Sequence, residues 1–221
     1  PGIGLPLSGL LGGFVSSTAT VAAMGTRLRA TPALAGPCTA AAVLSTGATW
    51  LQALLMLWAV APALAVRLSP ALLAGAALAG GLGGLLAWRS RQQAASAAAP
   101  APDGGALQVR QALVVALMLT GVTLLVSQAD RLFGARGTLA SVAVAGLADA
   151  HAGVTAVAAL QAQGRLGAAA AGSALLLAIA ANGLTRVVVA ASTGGRRFAG
   201  WVALGLLMAV AAAGAVLAWV G

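Results

Sequence analysis

Seven apolar runs, each close to the length that crosses a bilayer, dominate this chain and leave most of its charges to the segments between them. A hydrocarbon core of about 30 Å needs roughly 20 apolar residues to be spanned as a helix. The runs extend from about Ile3 to Met24, Pro37 to Val66, Leu68 to Trp88, Gln111 to Gln128, Thr138 to Gln163, Leu166 to Ser192 and Phe198 to Val220. They are continuous rather than alternating, and an open sheet edge cannot be satisfied in lipid, so the spans are read as helices. Soluble domains carry about 25% charged residues, whereas this chain has 7%. Its 12 cations and 3 acids cannot cover a water-facing surface, but they can mark the ends of membrane helices. The sequence therefore predicts an all-α integral membrane protein of about seven transmembrane helices.

Every cation is an arginine, and the net charge is +9. The arginines are scattered between apolar spans, with no basic stripe and no aromatic platform. They read as contacts to lipid headgroups, not to nucleic acid. The single cysteine, Cys38, excludes an internal disulfide and any multi-cysteine metal site. No cofactor is implied. The first charge is Arg27, so the positive n-region of a cleavable signal peptide is missing. The start at Pro1, without Met and inside an apolar run, reads as a fragment or a processed form.

The chain divides into a first three-helix unit over 1–88, an exposed linker over 89–110, a linking helix over 111–133 and a second three-helix unit over 134–221. The linker, RSRQQAASAAAPAPDGGALQVR, mixes Pro, Ala, Gly and polar residues without period. The two units read as an internal repeat. Gly13-Phe-Val-Ser-Ser-Thr-Ala19 aligns with Gly146-Leu-Ala-Asp-Ala-His-Ala152, an offset of 133. Ser45-Thr-Gly-Ala-Thr-Trp50 aligns with Ala181-Asn-Gly-Leu-Thr-Arg186, an offset of 136. If every span crosses fully, the repeat is parallel, and arginines on alternate sides are too evenly divided to orient the chain. Gly80 and Gly84 form a G-x-x-x-G step, read as internal packing in preference to a homodimer face.

Two patches are polar where polarity is costly. Ser16, Ser17, Thr18 and Thr20 place four hydroxyls in five residues. They satisfy their own helix backbone or line a cavity at a broken helix. Asp149 and His151 lie mid-span between Gly146 and Gly153. Ionised groups at a helix centre cost about 2.5 to 3.5 kcal/mol on insertion scales and are functional by default. The structural alternative for Asp149 is a pair with Arg186, the only arginine inside a span. Asp149 and His151 are two positions apart, so they share one site only if the helix breaks there. Asn182, Thr185 and Arg186 on the sixth span, with Ser45, Thr46, Thr49 and Gln52 on the second, could line the same cavity or serve as interhelical hydrogen bonds.

The segments LGGFVSSTAT, AGLADAHAGVTAVAAL, NGLTRVVVA and GGRRFAGWVALGLL, in that order, resemble a bacterial membrane domain of unknown function found at the C-terminus of MgtC/SapB family proteins. The resemblance runs from about Leu10 to Leu217. It implies the bacterial cytoplasmic membrane, a preceding MgtC-like domain and a role around magnesium homeostasis or small-solute transport. The family's fifth-span motif usually has a second Asp where this chain has His151, which removes one carboxylate from the site.

Three functions follow as expectations. The leading one is a transporter or channel-like domain for a small ion or solute, with no enzymatic activity and its site between the two repeats. The metal, if any, is left open: Mg²⁺ prefers carboxylates with retained waters, and one carboxylate lies within a span. The second is a regulatory membrane module that binds another membrane protein or a second copy and moves nothing. The third is an intramembrane hydrolase using Ser16 or Ser17, His151 and Asp149, which lacks the G-x-S-x-G elbow around either serine.

Overall fold

The computed structural model describes residues 4–95 and 138–220. The linking helix 111–133 and residues 96–110 of the expected linker lie outside the described residues. Among those described, the secondary structure is helical throughout, with no strand. The helices are α1 (Gly4–Ala30), α2 (Ala35–Val60), α3 (Pro62–Ala95), α4 (Thr138–Ala148), α5 (Ala150–Ala162), α6 (Ala168–Gly194) and α7 (Arg196–Val220), with a 3₁₀ turn at Pro32–Leu34. Among the described residues, five apolar segments are long enough by length and composition to cross a membrane: Gly4–Ala30, Pro32–Val60, Pro62–Arg91, Ala168–Gly194 and Arg196–Trp219.

The exterior is apolar and the interior holds the polar groups. Leu55, Trp58, Leu73, Leu184, Val188, Leu207 and Trp219 are exposed, while Ser45, Thr46, Thr49, Asn182 and Arg186 are buried. Water would reverse that arrangement, so the chain is a multi-pass membrane protein.

Proline and glycine set two boundaries that apolar run length misplaced. The second span ends at Val60, not Val66, because Ala61 precedes Pro62 and leaves the helical region at φ −149°, ψ 68°. Pro62 then opens α3, the position where its missing N–H costs nothing. Gly195, at φ 88°, ends α6 in the left-handed region. At its far end α3 runs on to Ala95, into the stretch read as linker.

α1 is not one straight span. Ser16 is extended, at φ −161°, ψ 108°. A Cβ placed on Gly12 would lie 2.8 Å from Thr20 Oγ1, although residues eight apart on a straight helix are separated by about 12 Å. The chain therefore folds back at Ser16, and Leu5 joins Leu28 and Leu34 in one apolar cluster. The expected fifth span does the same at Asp149, extended at φ −159°, ψ 138°. There a Cβ on Gly153 would come within 3.3 Å of Gly146 Cα. α4 has 11 residues and α5 has 13. At 1.5 Å per residue each arm falls well short of about 30 Å. Both are helical hairpins that enter and return on one side.

The two hairpins enter from opposite sides. Gly25 of α1 packs on Thr193 and Gly194, Gly36 packs on Ser90, and Gly194 packs on Phe198. These contacts gather both ends of α1, the start of α2, the end of α3, the end of α6 and the start of α7 on one face. Gly172 packs on Leu217 and Leu68, and Val142, Val157 and Leu166 share a core with Leu57 and Leu64. The hairpin of α4 and α5 therefore opens on the other face. A repeat of these two units is inverted, not parallel as full crossing of every span would make it, because the first element of each folds back. Arg27, Arg29, Arg89, Arg91, Arg196 and Arg197 lie toward the first face, and Arg67 and Arg165 toward the second, among the described residues.

Candidate functional site

Two apolar cores flank a polar layer at mid-depth. On α2, Cys38, Ala41 and Ala42 belong to the core nearer the arginine-rich face. Trp50, Ala53 and Leu57 belong to the core nearer the other. Ser45, Thr46 and Thr49 lie between them. On α6, Leu175 and Ile179 sit on one side and Val189 and Ala190 on the other, with Asn182, Thr185 and Arg186 between.

Arg186 is the centre of this layer, at 1% exposure. Its Nη2 donates to Thr46 Oγ1 at 2.8 Å and Ser45 Oγ at 3.2 Å, and its Nη1 reaches Thr49 Oγ1 at 3.4 Å. Ser45 and Thr49 give their own protons to the carbonyls of Ala42 and Ser45, so they face the guanidinium as acceptors. All three ligands are neutral. Nε of Arg186 and Oδ1 of Asn182 are buried without a hydrogen-bond partner. The pair of Asp149 with Arg186, the structural alternative read from sequence, does not form; Asp149 pairs with His151 instead.

The hairpin tips bound this layer, and each is tied to the long helix that follows it. Gln52 Nε2 donates to the Phe14 carbonyl at 2.8 Å, two residues before the break at Ser16. Thr185 Oγ1 donates to the Leu147 carbonyl at 2.8 Å, two residues before the break at Asp149. A helix that stops mid-depth leaves carbonyls without intrahelical donors, and these side chains satisfy one in each hairpin. Tight approaches set the same register. A Cβ on Gly13 would lie 2.8 Å from Ser45 Cα, and one on Gly146 would lie 2.8 Å from Ala178 Cα. Phe14 and Leu147, Gln52 and Thr185, and Ser45 and Ala178 are all 133 positions apart. These matched contacts keep the first offset read from sequence. The second patch, aligned at 136, shifts by three residues, so Ala178 rather than Ala181 matches Ser45.

At the second tip, His151 Nδ1 lies 2.9 Å from both carboxylate oxygens of Asp149. The break makes this contact feasible, since neighbours two apart diverge on an intact helix. Asp149 is not turned into the protein: its side chain is 54% exposed and that of His151 30%. At the first tip, Ser17, Thr18 and Thr20 are buried, Ser16 Oγ accepts the Ala19 N–H at 3.2 Å, and Thr20 Oγ1 donates to the Ser16 carbonyl at 2.9 Å. A narrow cleft lined by Thr49, Gln52, Ala53, Met56, Ala150, His151 and Val154 joins α2 to the start of α5. The structure thus brings together Arg186 with Ser45, Thr46 and Thr49, and Asp149 with His151. The first-tip hydroxyls form no hydrogen bond with Asp149. The carbonyls of Phe14 and Leu147 were missed, since backbone groups leave no mark in a sequence.

A Cβ on Gly80 or Gly84 meets no atom of the described residues within 4 Å, while the Gly80 backbone lies 3.4 Å from a Cβ placed on Gly47 of α2. Also on α3, Gly75 packs against Trp50 and Gly83 against Leu44 of α2. No group of three or more His, Cys, Asp or Glu side chains suited to a metal ion forms among the described residues.

No curated protein and no solved structure matches the chain. The family model described as "Domain of unknown function (DUF4010)" matches residues 1–194. With most of its length covered, the chain belongs to the DUF4010 family.

Proposed function

We propose that this chain is a transporter or channel-like membrane domain for a small ion or solute, with its site at the polar layer between the two repeats. One observation carries the reading: two broken helices enter from opposite faces and end beside a buried guanidinium at mid-depth. Discontinuous helices in inverted repeats are a recurrent transporter architecture, because interrupted backbone at membrane depth survives only in a protein interior or along a cavity. Arg186, Asn182, Asp149 and His151 are the residues assigned to the site. The arginine-rich face, with six arginines against two among the described residues, is assigned to the cytoplasm by the positive-inside rule, and the membrane to the bacterial cytoplasmic membrane. A link to magnesium homeostasis rests on the MgtC/SapB resemblance alone.

The test is flux. The purified chain, reconstituted in liposomes, should pass at least one of chloride, sodium or magnesium, and Asp149→Asn should reduce that flux about tenfold or more, as expected when a charge-assisted hydrogen bond at the site is lost. Silence toward all three ions, in well-folded protein, would favour a regulatory module.

A further inference from the structure

Resting on that transport reading, we infer that the solute is a small monovalent anion, held between the Arg186 guanidinium and the N-terminus of α5. The sign of the charge in the polar layer carries the inference. Arg186 is buried, and every partner it has is a neutral hydroxyl. The carboxylate among the described residues, Asp149, is engaged by His151 Nδ1 and is more than half exposed. A buried cation without a counter-charge is strongly disfavoured, and a bound anion supplies what the fold leaves out. One further donor awaits a ligand: Arg186 Nε, nearly fully buried with its residue, is unpartnered.

The cleft beside Thr49 adds a second positive element. Thr49 contacts Arg186 Nη1 on one side and lines the cleft with Ala150 and His151 on the other. Those residues open α5, a helix of 13 residues whose N-cap, Asp149, makes no side-chain cap. The first intrahelical donor is the Gly153 N–H, which reaches the Asp149 carbonyl. The N–H groups of Ala150, His151 and Ala152 precede it. Free N–H groups and the helix dipole make such an end attractive to anions. A guanidinium and a helix N-terminus would both repel Na⁺ or Mg²⁺. The cleft has no room for even a water-sized group in this conformation, so an anion enters only if its walls part, which favours a small one.

Chloride is the probe. In detergent, chloride should raise the Tm of the purified chain above its value in equimolar gluconate, by preferential binding to the folded state. Arg186→Gln should abolish that difference and cut chloride efflux from liposomes about tenfold or more, the scale of a lost charge-assisted contact. Arg186→Lys should retain part of both. If Arg186→Gln does not fold, Thr46→Val, which removes the hydroxyl closest to the guanidinium, should weaken the chloride dependence of Tm; an unchanged dependence overturns the site. Absence of any chloride effect on wild-type Tm overturns the anion. So does magnesium or sodium flux that survives in Arg186→Gln, and in that case the transport reading stands. Chloride stabilisation that Arg186→Gln removes, with no flux of any ion, upholds the anion site and sinks transport instead.

Discussion

At the first hairpin tip, Ser16 closes its own helix start by accepting the Ala19 N–H. At the second, Asp149 occupies the equivalent break, makes no such cap, and holds His151 instead. The backbone is alike in both, extended at the break residue, and the carbonyl two positions earlier is bonded to the next long helix in both. The difference lies in what is left over. The first tip satisfies its start internally and reads as structural. The second leaves its first N–H groups uncapped and places two titratable side chains beside them. The two tips thus share the joint and differ in the side chains they carry at it.

The largest expected effects test whether the joints are equivalent. Gly13→Val and Gly146→Val each drive a side chain into the backbone of the following helix. Each should destabilise the fold by roughly 3 kcal/mol or more, at the upper end of overpacking costs. Gly80→Val, whose Cβ meets no atom of the described residues within 4 Å, should stay within about 0.5 kcal/mol, as surface changes do. Thermal melting in detergent compares the three. If Gly13→Val melts like Gly80→Val, the close approach at the first tip has no structural weight.

A smaller effect follows at the carbonyl bonds. Gln52→Leu and Thr185→Val each leave a mid-depth carbonyl without its donor and should cost about 1 to 2 kcal/mol. Near-equal losses would support a shared joint. A loss at one position only would mean that the second hairpin is held by other contacts.

The smallest stability changes separate the tips themselves. Ser16→Ala removes an N-cap and should cost about 1 kcal/mol while leaving flux within about twofold of wild type, since one cap bond is worth little beyond its local helix. Asp149→Asn breaks a partly exposed pair and should change stability by under about 1 kcal/mol, yet suppress flux. Paired melting and flux measurements decide. Flux lost in Ser16→Ala and kept in Asp149→Asn would reverse the assignment of the two tips.

Much of this was legible in residues. Helix type and the polar patches follow from apolar run length and from hydroxyls, Asp149 and Arg186 standing where lipid would exclude them. The expectation that Asp149 and His151 meet only at a break is met by the break itself. Three things were not legible, each for a physical reason. Folding back at Ser16 depends on a single extended residue, and an uninterrupted apolar run reads the same whether it crosses or returns. Without that knowledge the parity of crossings is wrong, which is why the repeat read as parallel. Run length also passed over the stop before Pro62, although the residue preceding a proline carries that signal. For Arg186 the sequence left two sets of partners open, the Asp149 carboxylate and the hydroxyls of the second span, because residue types alone do not say which lies within reach. Three hydroxyls on α2 surround the guanidinium.

The hydroxyl cradle of Arg186 has a consequence for how the protein is made. α6 carries its arginine into the bilayer, a burden of roughly 2.5 to 3.5 kcal/mol for an isolated helix on insertion scales. Its remedy lies on α2, more than a hundred residues earlier, at Ser45, Thr46 and Thr49. Synthesis runs from the N-terminus, so α2 has already left the ribosome when Arg186 emerges. The last-made helices therefore meet a receptive surface laid down in advance. The second half, expressed alone, would have to insert an arginine with no acceptor waiting for it.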